Sequence, residues 1–183
     1  YSAKRFYHRL FDKYREYGGK ELRVMGSGVM YGNWLYMANC NVGGGNNMFN
    51  PVTNEWGIQG KDVRNVNINN FLAPSFGIQN FNPEWSVQVI ENLQSKAIAW
   101  DATYMLGLSE KTVEQCKDKY EIFKAFRTWE DARKANIFPQ ELKEEMQIKE
   151  NLYHLERIDD HSWMLYSVTS SGERINPRKL VAR

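Results

Sequence analysis

The chain has 183 residues and a mass of 21.5 kDa, with 24 Lys+Arg against 22 Asp+Glu. Six Trp, ten Tyr, nine Phe and a hydrophobic share of 42% suffice for a packed core, which excludes a wholly disordered chain. The best apolar stretch, Ala97 to Leu108, is interrupted by Asp101 and falls short of the roughly 20 residues that span a bilayer, so no transmembrane helix is expected.

Two cysteines, Cys40 and Cys116, are too few for a disulfide framework and fit a reducing or redox-neutral compartment. Charge is unevenly spread. Residues 1–20 carry +4, residues 21–109 carry −2, residues 110–160 carry −3 and residues 161–183 carry +3. Basic ends on a mildly acidic body suit an acidic protein surface, anionic lipid or structured RNA. A nucleic-acid-coating protein would carry a larger and more continuous excess. The start, Tyr1-Ser2-Ala3-Lys4-Arg5, is that of a processed mitochondrial protein or of a piece cut from a longer chain.

Ser2 to Tyr17 reads as an amphipathic helix. Phe6, Tyr7, Leu10, Phe11, Tyr14 and Tyr17 recur at helical spacing among Lys4, Arg5, Arg9, Lys13 and Arg15. Gly18-Gly19 should end it. Ten of the thirteen glycines fall between Gly18 and Gly60. A short strand is expected at Glu21 to Met25, one longer strand or a tight pair at Val29 to Val42, a loop at Gly43 to Asn47, and a weak strand through Val63, Val66 and Ile68. Gly26-Ser27-Gly28 lacks the following helix of a dinucleotide fingerprint and is read as a hairpin turn. Residues 69–82 are expected to be irregular.

From Pro83 onward the rhythm becomes helical. Asn82 before Pro83 resembles a helix start. Trp85, Val89, Leu93, Ala97, Trp100 and Tyr104 then imply about six turns. Gly107 should end that helix and Ser109 cap a second, running through Val113, Cys116, Tyr120, Phe123, Phe126 and Glu130. Pro139 should open a third, carrying Leu142, Met146, Leu152 and Leu155. Ser162 to Val168 reads as a strand, Ser171-Gly172 as a turn, and Arg174 to Arg183 as a basic tail.

The expected fold is therefore α+β: a small antiparallel sheet from the Gly-rich N-terminal half and a C-terminal strand, packed with about three antiparallel helices. The expected segments are an N-terminal arm at 1–19, a β and loop region at 20–82, a helical region at 83–158 and a strand with tail at 159–183, together one domain.

No catalytic, metal or cofactor site is expected. Three histidines and two separated cysteines lack metal-ligand spacing. Asp160-His161-Ser162 has the residue types of a hydrolase but reads as a polar turn, since neighbours in sequence lack the geometry of a triad. Cys116 on an apolar helix face reads as a small hydrophobe. Glu55, Asp62, Glu84 and Asp101, with Trp34 and Trp56 as platforms, could serve a glycan cleft, although no spacing selects a pair.

Two short stretches resemble known families. Trp34-Leu35-Tyr36 through Met48-Phe49-Asn50-Pro51-Val52-Thr53-Asn54-Glu55-Trp56 looks like one blade closure of the kelch propellers, which need several such units where this chain has one. Ala132 to Leu155, through Ile137-Phe138-Pro139 and Glu150-Asn151-Leu152-Tyr153, looks like the helical small subunit beside cytochrome b in respiratory complex III. Neither transfers a residue role.

Large aromatics and arginines at the ends of a chain with no catalytic signature are what lasting interfaces concentrate. The expected function is a non-catalytic subunit of a large stable assembly, first a mitochondrial inner-membrane complex such as a respiratory complex or ATP synthase. Its partner-binding residues would be Lys4, Arg5, Tyr7, Arg9, Phe11 and Tyr14 at one end and Arg174, Arg178, Lys179 and Arg183 at the other. Other protein subunits, and anionic lipid at the membrane surface, are the expected partners. The alternatives are an RNA-binding subunit of an organellar ribosome, or a carbohydrate-active domain using Asp or Glu with Trp.

Overall fold

The computed structural model describes residues 2–22, 24–27, 39–41, 49–57 and 75–182. The architecture is α+β, and the chain divides into two compact units, Tyr1–Gly45 and Asn46–Arg183.

The first unit contains α1 (Ser2–Glu16), β1 (Met25–Ser27) and β2 (Asn39–Asn41). The expected terminator works as the sequence implies. Gly18 takes φ +82°. The Gly19 amide donates to the Tyr14 carbonyl at 3.0 Å and the Gly18 amide to the Arg15 carbonyl at 2.9 Å, the paired bonds of a Schellman end. Gly19 also lies against the Tyr14 ring so closely that a Cβ there would overlap it. Gly26 and Ser27, expected in a hairpin turn, belong to β1, which pairs in parallel with β2. The expected loop at Gly43 to Asn47 and the expected strand at 63–68 lie outside the described residues.

The second unit opens with β3 (Phe49–Asn50) and β4 (Glu55–Trp56), an antiparallel pair. The Asn50 side-chain oxygen accepts from the Val52 amide at 3.0 Å, and Asn54 takes φ +57°, which together turn the chain. Next come β5 (Ser75–Asn80), α2 (Val87–Ala99) and β6 (Thr103–Gly107). β5 and β6 are parallel, with Ile78 opposite Met105, so α2 is the crossover that such a pair requires.

Three sequence expectations fail here. Ser75 to Asn80 is a strand because β6 supplies its hydrogen-bond partner from far along the chain. The six-turn helix stops at Ala99, since Asp101 takes φ +47° and turns the chain into β6. Asn82-Pro83 is a turn, its Asn82 side chain accepting from the Glu84 amide at 2.9 Å, and α2 instead starts after Ser86, whose side chain makes no capping hydrogen bond.

Then follow α3 (Glu110–Gln115), α4 (Lys119–Lys134) and α5 (Gln140–Gln147). Ser109 caps the helix start as expected, with Thr112 returning the bond, and α5 begins after Pro139 as predicted; the single helix expected from Ser109 through Glu130 is instead two, because Cys116 takes an extended backbone between α3 and α4. The third helix was expected to reach Leu155, but it ends at Gln147. Leu152 to Arg157 form β7, followed by β8 (Ser162–Val168) and β9 (Arg174–Val181) in one antiparallel sheet of order β7-β8-β9. Most of the segment read as a basic tail is thus β9.

One face of this sheet supplies Tyr153, Leu155, Trp163, Leu165 and Leu180 to a core shared with Trp129 of α4 and with Leu142 and Met146 of α5. A second core gathers Phe49, Phe76 and Leu93, and a third Phe81, Ile90 and Ile122. α2 contributes to all three, and every residue from Ile90 to Ala99 is buried. Cys116 is buried in the third core, in the role of a small hydrophobe.

Candidate functional site

A helix enclosed on every side should be apolar all round. α2 is not: it buries Glu91, Asn92, Gln94, Ser95 and Lys96. Buried polar groups require partners, and four of the five have them. Asn92 donates to the Pro51 carbonyl at 3.0 Å and Ser95 to the Asn92 carbonyl at 3.2 Å. Both amide atoms of Gln94 lack a hydrogen-bond partner among the described residues.

Glu91, 2% exposed, anchors the most concentrated charge cluster. Its carboxylate accepts from the Trp129 indole N–H at 3.2 Å, from the Leu155 amide at 3.2 Å, and from His154 Nδ1 at 3.1 Å. The other ring nitrogen of His154, Nε2, lies 3.1 Å from Glu156 Oε1, and Glu156 in turn pairs with Arg174 of β9. Alternation along β7 sets this up, because Tyr153 and Leu155 face the core while His154 and Glu156 share the opposite side. Burial alone would lower the His154 pKa, but the hydrogen bond and charge of Glu91, followed by Glu156, outweigh it. Arg174 opposes them, and the net shift is upward.

The cluster borders a half-open cavity of about 360 Å³ between α2, α4 and the sheet, where Lys124, Thr128 and Arg157 also line the wall. Arg157 is held by Asp131 at 3.3 Å and Asp160 at 2.9 Å. Carboxylates at both ring nitrogens favour the doubly protonated form of His154, in which neither nitrogen offers a lone pair to a substrate. The arrangement ties α2 to β7 and β9.

Lys96 makes a second tie. It is 2% exposed, and its ammonium donates to the carbonyls of Met146 at 2.6 Å, Ile148 at 2.6 Å and Asn151 at 2.9 Å. These carbonyls lie at and just past the end of α5, where a cation also meets the negative end of the helix dipole. Burial pushes the Lys96 pKa down to about 8, with Glu150 acting in the opposite sense.

The residues singled out from the sequence fall in two places. Lys4, Arg5, Tyr7, Arg9, Phe11 and Tyr14 all lie on α1. At 100° per residue, Phe6, Leu10, Tyr14, Tyr7 and Phe11 occupy an arc of about 140°, bordered by Lys13 on one side and Lys4 on the other. Phe6 is 60% exposed and Tyr17, just past the helix, 88%. Arg174, Arg178 and Lys179 lie on β9, while Arg183 is outside the described residues. Arg174 and Arg178 are committed to Glu156 and to Glu145, the latter at 3.2 Å, so two of the partner-binding candidates on β9 already have acidic partners within the chain.

Of the acids considered for a glycan cleft, Asp62 lies outside the described residues, Glu55 pairs with Lys149, and Asp101 with Lys143 at 2.6 Å. Asp159 organises the polar turn before β8, accepting from the Ser162 hydroxyl at 2.7 Å and the His161 amide at 2.8 Å. Sequence reasoning missed Glu91, Lys96 and His154. Charged residues among Ile90, Leu93, Ala97 and Ile98 were the available signal for the first two. His154 was obscured because its strand was read as helix.

No family model, curated protein sequence or solved structure matches the chain. Among the described residues, no helix is long and apolar enough to cross a membrane.

Proposed function

We propose that this protein is a non-catalytic accessory subunit of a large, stable multiprotein assembly, joined to it through α1. The supporting observation is the surface of that helix: exposed Phe6, Tyr14 and Tyr17 beside a row of lysines and arginines, with the helix end fixed by Gly18 and Gly19. Aromatic anchors rimmed by basic side chains are what interface centres concentrate. The buried charges of the second unit support the same reading. Glu91, His154 and Lys96 are all spent on protein partners, which is how structural rather than reacting groups are held. A basic amphipathic helix also suits anionic lipid beside a membrane-embedded core, so a mitochondrial inner-membrane complex is the first assembly to examine.

The test is the native mass of the protein drawn from its source, compared with that of a chain lacking residues 1–17. Comigration of the full chain with a much larger complex, lost on truncation while the second unit stays folded, is the expected result. A lone species in no larger complex, or normal incorporation of the truncated chain, would overturn the proposal.

A further inference from the structure

The charges of α1 are ordered about the helix axis. Five bases and two acids give Ser2–Glu16 a net charge of +3. At 100° per residue, Lys4 stands about 20° beyond Phe11 and Arg15 about 40°. On the other border Lys13 stands about 20° beyond Phe6 and Arg9 about 60°. Asp12, Arg5 and Glu16 fall within about 30° of the line directly opposite the middle of the apolar arc. Four bases thus flank the aromatic face, two on each border, and both acids lie on the far side. Glu16 pairs with Lys13, and Asp12 with Arg15 at 3.5 Å, but both pairs are exposed and surface pairs hold their partners weakly. Lys4 and Arg9, one on each border, form no ion pair among the described residues.

The apolar face is rich in aromatics, with Phe6, Tyr7, Phe11 and Tyr14 beside Leu10. Phe6 and Tyr17 are well exposed. Tyrosine joins an apolar ring to a polar tip, the shape enriched where headgroups meet hydrocarbon. At 15 residues α1 is about 22 Å long, and its five bases and two acids suit it to lie along a bilayer rather than across it. A plane of lipid phosphates meets both borders of such a helix at one depth, with lysine and arginine stems running along the apolar boundary to the headgroups. The far side then stays in water, which is where Asp12 and Glu16 point. A protein groove imposes no such symmetry, since its contacts follow the partner's own charges.

We propose that α1 binds the surface of a bilayer containing anionic phospholipid, with Phe6, Leu10 and Phe11 at the acyl boundary and Lys4, Arg9, Lys13 and Arg15 at the level of the phosphates. This lipid contact rests on the reading of α1 as the attachment helix, and it takes the place of a protein groove as the surface that α1 touches.

The test is flotation of the purified full chain with vesicles of phosphatidylcholine alone and with an about 3:1 mixture of phosphatidylcholine and phosphatidylglycerol, in about 0.15 M salt. Binding to the mixed vesicles alone is expected, weakening as salt is added. Arg9→Gln, on the border, should lower the partition about fivefold, the contribution of one base near a charged surface. Arg5→Gln removes the same charge from the far side, about 10 Å or one screening length from the lipid, and should lower it by about twofold at most. Glutamine preserves helix propensity at both exposed positions. No flotation with the mixed vesicles, equal flotation with both compositions, or equal losses from the two variants would overturn the proposal. A chain that does not float, yet loses comigration with a larger complex when residues 1–17 are removed, would overturn the lipid contact and leave the assembly reading standing. A chain that floats but comigrates with no larger complex would do the reverse.

Discussion

Replacing Glu91 by Gln tests whether the buried cluster is an electrostatic tie. The native carboxylate takes three donors, and a glutamine oxygen can keep two of them, Trp129 Nε1 and the Leu155 amide. What is lost is the charge-assisted bond to His154, worth about 1.5–3 kcal/mol. The loss should depend on pH. The folded-state pKa of His154 is raised above its ordinary value of 6.5, so its contribution is fully present below about pH 6.5 and disappears as pH rises through the folded value. Urea unfolding followed by tryptophan fluorescence gives the comparison, since Trp129 is itself a Glu91 partner. The wild type should exceed Glu91→Gln by the full amount at pH 6 and by much less at pH 9. Equal stabilities at pH 6, or a difference that does not change between the two pH values, would show that His154 carries no charge in the pair. Glu91→Ala should cost more, on the order of 5 kcal/mol, because it also strands two buried donors and opens a cavity.

Lys96→Met keeps the length of the stem but leaves the carbonyls of Met146, Ile148 and Asn151 without their shared donor, and should lower stability by about 2–4 kcal/mol in the same urea assay. No loss would mean that water serves those carbonyls equally well. Gly18→Val places a branched side chain at φ +82° and should fray the end of α1 at a cost of about 1–2 kcal/mol. Faster amide exchange at Gly18 and Gly19, with the second unit unchanged, is the signature, and unchanged exchange would remove the Schellman account.

Features with a local cause were legible in the sequence. α1 is set by aromatic spacing and ended by two glycines within the same 19 residues, and the α3 cap is set by Ser109 and Thr112, three apart. Each is closed by groups a few residues away, so composition and spacing suffice. The α+β class followed from the same signals, together with the strand at Ser162 to Val168.

The boundaries that failed are those that distant partners decide. Leu152 and Leu155 fit a helical step as well as a strand; β8, pairing Leu152 with Val168 and Arg157 with Trp163, chooses the strand. Thr103 to Gly107 continues a helical rhythm in the sequence but lies beside β5, with Ile78 opposite Met105. The charge cluster is still less local, since Glu91 and His154 stand 63 positions apart and Lys96 meets carbonyls 50 to 55 positions away. A buried charge is tolerated only where a partner waits, and the partner exists only after α2 has been enclosed by α4, α5 and the sheet. Local hydrogen bonds and periodicity let the sequence alone specify the capped helices. The strands β5, β6 and β7 and the buried ion cluster depend on groups that only the folded backbone brings within reach.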